Sequence, residues 1–214
     1  MFVVATPELL TEAAQYLRLV DTKLAKIITK AGLPTITPHN DYYQSLVESI
    51  ISQQLSVKAA ATIEKRFRGL FAVDTFPTPS QILETDIDTL RSVGLSRQKA
   101  TYIQDLAVKV EERTVHFDHL DTLSNDEVIE ELSKIKGVGV WTVHMFLIFC
   151  MGRLDVLPTG DLGIKNGIYN LYKLPEKPTP ERIDAHARKY SWHPYESVAS
   201  WYIWHSLDNN PAVQ

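Results

Sequence analysis

The chain has 214 residues, 44% hydrophobic and 22% charged, which is the balance of a globular protein large enough to bury a sizeable core. Its single cysteine excludes a disulfide framework or a cluster held by several thiolates and fits a reducing compartment. The net charge of −4 argues at face value against a polyanionic partner, yet the charge is uneven. Asp118, Asp121, Asp126, Glu127, Glu130 and Glu131 follow one another with no Lys or Arg between them, whereas the stretches 50–70 and 133–173 carry a basic excess. No apolar run reaches the roughly 18 residues a membrane span needs. The opening MFVVATPELL has no basic residue ahead of its short apolar run, so a secretory signal is not expected.

In chain order, Thr6-Pro7 reads as a helix start, and the apolar period from Leu9 to Ile28 reads as one helix stopped by Gly32 and Pro34. A second helix is expected from about Asp41 to Gln54, and Ser56 caps a third, VKAAATIEKRF. Short helices follow near Ile82 and over Asp86–Val93, then a long one from Ser96 to about Glu112. Ser124 and Glu127 have capping-box spacing ahead of EVIEELSKI. The last helices follow Thr179-Pro180 and His193-Pro194. No segment sustains a period-2 alternation, so the expected class is all-α, two-lobed, with a central cleft. LRSVGLSRQKATYI and LSKIKGVGVWTVHMF faintly echo each other as helix, tight turn, helix.

The second of these turns, Gly137-Val138-Gly139, can point successive N–H groups outward ahead of a helix, a nest that suits a phosphate, with Lys134 and Lys136 beside it. Taken alone, Gly-x-Gly also fits a plain helix-to-helix corner. Asp161 stands just before LGIKNGIYNLY, where a helix start favours an anion, and taken alone it also fits a helix cap. The seven histidines show no ligand spacing for a side-chain metal site.

Together these segments resemble the helix–hairpin–helix DNA glycosylase superfamily, in its alkylation-repair branch, DNA-3-methyladenine glycosylase II. LSKIKGVGVWTVHMFLIF looks like the hairpin, DVLPTGDLGIKNGI like the Gly/Pro-rich loop with its catalytic Asp, and SIISQQLSVKAAATI like the segment that wedges into the duplex. GLSRQKATYIQDLA and SWHPYESVASWYIW resemble two further segments, and the match runs in order over roughly residues 34–208.

The resemblance implies one helical glycosylase domain over 1–214, with the hairpin at about 126–151 and the wedge region at about 50–58. Asp161 is then the catalytic carboxylate, stabilising an oxocarbenium-like sugar and guiding the attacking water. Trp141 occupies the position where lyase relatives carry a Schiff-base Lys, so the implied enzyme is monofunctional and leaves the abasic strand uncut. Trp141, Gln53, Trp192 and Tyr195 are candidates for the pocket of a cationic alkylated base, with Trp201 behind them. For Trp192, Tyr195 and Trp201 core packing is the competing reading. Gln54 and Leu55 would fill the gap left by a flipped base. Lys134, Lys136, Gly137 and Gly139 would grip phosphate. The backbone carbonyls of Ser133, Ile135 and Val138 would hold a monovalent Na or K ion.

No cofactor and no iron–sulfur cluster is expected. The implied partner is damaged double-stranded DNA, bound by a monomer inside the cell, in the nucleus of a eukaryote or the cytoplasm of a bacterium. The length leaves little room for the N-terminal β-rich domain of longer relatives. Two positions depart from the pattern: Glu196, where many relatives have Arg, and Asn166, where a second basic residue is common. They motivate the alternative of a glycosylase-fold protein that binds abasic or damaged DNA with weak or no excision.

Overall fold

The computed structural model describes residues 3–71 and 75–208. Among them the chain forms α1 (Pro7–Val20), α2 (Thr22–Ala31), α3 (Tyr42–Ser52), α4 (Val57–Arg68), α5 (Pro79–Glu84) and α6 (Ile87–Ser92). Then come α7 (Arg97–Glu111), α8 (Asn125–Leu132), α9 (Val140–Met145), α10 (Leu162–Tyr172), α11 (Pro180–Lys189) and α12 (Glu196–Asp208). Extended pairing among the described residues is limited to an isolated antiparallel bridge between Val4 and Arg153. The all-α expectation holds, and its helix starts carry the expected caps: Thr6, Ser56, Ser96, Ser124 and Thr179 each accept a first-turn N–H.

One expected helix is two. The apolar period runs unbroken from Leu9 to Ile28, but Asp21 takes an extended conformation and its Oδ1 accepts the N–H groups of Lys23 at 2.9 Å and Leu24 at 3.1 Å. A second helix therefore restarts there. The Asp21 carboxylate is fully buried and needs donors on its other oxygen. Oδ2 accepts from the Tyr172 hydroxyl and, at 3.0 Å, from Trp192 Nε1.

The chain divides into two compact units. The first combines the segment up to residue 39 with the segment from 147 onward, and packs α1, α2, α10 and α12 around Leu17, Leu24, Ile164, Ile168, Trp192 and Tyr202. The second spans residues 40–146 and packs α3 to α9 around Leu46, Ile50, Phe67, Ile103, Leu106, Leu132 and Val143. After α9 the helix widens into a π-helical turn over residues 146–150, which the sequence pattern did not foretell.

Candidate active site and nucleic-acid interface

In the second unit, a reciprocal capping box opens α8: Ser124 Oγ accepts the Glu127 N–H at 3.2 Å and Glu127 Oε2 accepts the Ser124 N–H at 2.7 Å. The helix ends at Ser133, and a turn of six residues delivers the chain to α9. The two turn glycines do different work. Gly137 has φ 81°, and a Cβ there would lie 2.0 Å from Tyr102 Cδ2, so both conformation and packing demand glycine. Gly139 caps α9 with φ −100°, and a Cβ there would meet nothing within 4 Å. α9 starts beside exposed Val140 and Trp141, so its N-terminal end, which favours an anion, has an aromatic neighbour.

The flanking lysines are not the unopposed cations the sequence suggests. Lys134 Nζ lies 2.7 Å from Glu131 Oε2, and Lys136 Nζ lies 3.1 Å from Asp105 Oδ1. Both lysines are largely exposed, and such pairs cost only about 0.2–1 kcal/mol to break. Arg153, counted among the basic residues of this stretch, is buried at 1% exposure and presents no guanidinium for direct contact with a phosphate.

The segment between α3 and α4 forms a tip. Gln54 is left-handed at φ 57°, Leu55 is exposed, and Ser56 caps α4. Gln53, expected to face a base, instead donates from Nε2 to the Gly137 carbonyl at 2.9 Å and ties the tip to the hairpin turn. Lys99 Nζ donates to the carbonyls of Ile51 at 2.7 Å and Gln53 at 2.6 Å, and its burial pushes the ammonium pKa down.

In the first unit, Asp161 is the N-cap of α10 and is 8% exposed. Its Oδ1 accepts the Ile164 N–H at 2.7 Å and the Trp204 indole N–H at 2.8 Å. The carboxylate is thus both a helix cap and a group clamped by a side chain from α12. Gly163 makes room for the clamp: a Cβ there would lie 2.8 Å from Trp204 Cδ1 and 3.0 Å from Asp161 Oδ1. Phe149, with an exposed face, lies 5.9 Å from the Trp204 ring.

Trp192 and Tyr195 do not serve as pocket walls. Trp192 has no exposed surface, donates to Asp21, and packs on Tyr172 and His186, so neither ring face is open to a base. Tyr195 is buried with its hydroxyl donating to Glu12 at 3.0 Å and its ring edge-on to Tyr16. Trp201 is buried and stacked on His205. The accessible aromatics next to Asp161 are half-buried Trp204, which bonds it, and exposed Phe149 against that ring; the sequence reading missed both although SWYIW lay inside a segment it had matched.

Glu196 pairs with His193 at 3.0 Å, while its Oε2 is buried without a hydrogen-bond partner; burial raises its pKa, with His193 opposing. Asn166 likewise has a buried Oδ1 without a partner. Among the described residues no group of three or more His, Cys, Asp or Glu side chains is arranged to hold a metal ion, and no helix is long and apolar enough to cross a membrane.

A model of the HhH-GPD superfamily base excision DNA repair protein matches residues 47–192. The chain is 35% identical over 196 residues to the alkylbase DNA glycosidase-like protein mag2 of Schizosaccharomyces pombe, covering 90% of this chain and 91% of that protein. It is 37% identical over 163 residues to DNA-3-methyladenine glycosylase 1 of the same yeast, covering 76% and 71%. The fold superposes on the S. pombe 3-methyladenine DNA glycosylase Mag1 in complex with abasic DNA, with a TM-score of 0.80, 32% identity, and 94% and 98% of the two chains covered.

Proposed function

The chain belongs to the HhH-GPD superfamily of base excision DNA repair proteins, and from that premise we propose that it hydrolyses the N-glycosidic bond of alkylated bases in double-stranded DNA, of the 3-methyladenine and 7-methylguanine type. One observation carries this reading. Asp161, at the position of the family's catalytic Asp, is a buried carboxylate clamped through Oδ1 by Ile164 N–H and Trp204 Nε1–H.

An alkylated purine already carries positive charge, so its leaving needs no strong acid. The C1′–N bond breaks, its electron pair departs with the base, and positive charge builds on the sugar. Asp161 stabilises that charge and directs the water whose oxygen bonds to C1′ while its proton leaves to the carboxylate or to solvent. Within Asp161's own unit, the exposed ring of Phe149 and the half-buried ring of Trp204 are the candidates to hold the cationic base through their faces. With Trp141 in place of an amine nucleophile, no Schiff base forms and the strand is left uncut.

Leu55 and left-handed Gln54 enter the space left by the flipped nucleotide. Gly137, Gly139 and the first turn of α9 hold a backbone phosphate, and Lys134 and Lys136 exchange their carboxylates for it. Carbonyls of Ser133, Ile135 and Val138 suit a monovalent cation: that of Ile135 accepts the Val138 N–H at 3.1 Å and keeps a second lone pair for the ion. The protein would act as a monomer, inside the cell.

Release of 3-methyladenine from methylated DNA, compared between wild type and Asp161→Asn, tests the reading. A unit charge about 4 Å from the developing cation, at an effective dielectric of about 20, contributes about 4 kcal/mol, so Asp161→Asn should slow release by about a thousandfold. Equal release by the two would overturn it. A second reading, binding of abasic DNA with little excision, is favoured by Glu196 standing where many relatives carry Arg and by Asn166 standing where a second basic residue is common, each with a buried oxygen that lacks a hydrogen-bond partner. Tight binding of an abasic duplex with no base release from any alkylated substrate would decide for it.

A further inference from the structure

Lys99, Tyr102 and Asp105 recur at every third residue of α7 and sweep about a third of its circumference. Each meets a different part of the surface to which DNA-facing roles are assigned above. Lys99 Nζ bonds the carbonyls of Ile51 and Gln53 at 2.7 and 2.6 Å, where α3 ends and its carbonyls run out of intrahelical donors. The Tyr102 ring fills the space where Gly137 lacks a Cβ. Asp105 Oδ2 accepts the Lys136 N–H at 2.9 Å, and Oδ1 faces Lys136 Nζ at 3.1 Å. Gln53 Nε2 closes the circuit onto the Gly137 carbonyl at 2.9 Å. Gln54 sits inside this circuit at φ 57°, a conformation that a residue other than glycine keeps only when its surroundings hold it.

We propose that Lys99 is a positioning residue: its ammonium, turned inward onto two carbonyls, holds the Gln54-Leu55 wedge at a fixed offset from the Gly137 turn, so that the wedge is set before DNA arrives. The proposal rests on the glycosylase reading above. Two of the three ammonium protons are committed to carbonyls. A phosphate would therefore compete with the wedge for the same donor. The positive charge at the end of α3 also complements the helix dipole, a function Met cannot supply.

The test compares wild type with Lys99→Met and Lys99→Arg in the full chain. The readouts are single-turnover release of 3-methyladenine, fluorescence of 2-aminopurine placed beside the lesion as a report of flipping, affinity for undamaged duplex against salt, and the thermal midpoint. Lys99→Met should slow release about tenfold and lower the 2-aminopurine signal, the loss expected for charge-assisted hydrogen bonds. Duplex affinity and its salt slope should stay, the midpoint should fall by no more than a few degrees, and Lys99→Arg should recover most of these losses. A salt slope reduced by about one in Lys99→Met would mean a phosphate contact and overturn the proposal. Unchanged release would also overturn it, as would a loss in both variants that follows a falling midpoint. If wild type itself releases no base, the glycosylase reading fails, and the 2-aminopurine signal on an abasic duplex alone decides whether Lys99 sets the wedge.

Discussion

Gly137→Ala is the substitution whose cost can be worked most directly from the geometry. The position has φ 81°, which a residue with a Cβ occupies at a penalty of about 1–2 kcal/mol. The new Cβ would also stand 2.0, 2.3 and 2.6 Å from three ring carbons of Tyr102, so the ring or the turn must move. Overpacking of this kind costs about 1–3 kcal/mol. Together the two effects amount to about 2–5 kcal/mol, which for a chain of this size lowers the thermal midpoint by roughly 5–20 °C. The steric part is separable from the conformational part. Tyr102→Ala should relieve the clash, so the double variant should lose about 1–3 kcal/mol less than the two single losses added together. Differential scanning calorimetry of the four proteins gives the cycle. Binding of an abasic duplex to the folded fraction then tells whether the turn still grips phosphate. A Gly137→Ala midpoint within a degree of wild type would refute the reasoning. So would strictly additive losses, since they would mean that Tyr102 does not press on the turn.

Trp204→Phe keeps a ring against Phe149 but removes the indole donor 2.8 Å from Asp161, so base release should fall about tenfold with abasic-duplex affinity retained. An equal loss of affinity would show that the ring, not the N–H, matters. His186 is packed among Tyr172, Tyr190 and Trp192 with Nε2 unpartnered, and burial pushes its pKa down from 6.5 to about 4. A histidine with a depressed folded pKa is bound to fewer protons folded than unfolded, so its contribution is complete above pH 6.5 and is lost as the pH falls toward 4. The thermal midpoint should drop over that interval, and His186→Phe should flatten the drop; identical pH curves for the two proteins would remove His186 as its source.

Most of the fold was legible because its signals are local. Capping side chains lie within three residues of the N–H groups they serve, so Ser56, Ser96, Ser124 and Thr179 marked helix starts without any knowledge of the core. Asp21 was missed because its local signal was overridden by an unbroken apolar period, and what makes the break tolerable is remote: Tyr172 and Trp192 satisfy the buried carboxylate from more than 150 residues away. The site divides along the same line. A match of short segments was enough to make Asp161, Leu55 and Gly137 candidates, because each belongs to a contiguous motif. Which neighbours hold them was not readable, since Trp204 reaches Asp161 across 43 positions and Gln53 reaches Gly137 across 84. The same holds for the aromatics. Trp192, Tyr195, Phe149 and Trp204 have similar side chains in sequence, and only packing decides that the first two are sealed in the core while the last two keep an accessible face. Charge followed suit in part: Lys134, Lys136 and Arg153 count alike in a sum, and Glu131 pairs Lys134 from only three residues away, but Asp105 reaches Lys136 across 31 positions and packing buries Arg153. The sequence by itself determined which residues stand at helix starts and in the turn, because that chemistry is spelled within a few positions. The tertiary structure alone decided which of them are buried or clamped, because the groups that do so are brought from distant parts of the chain.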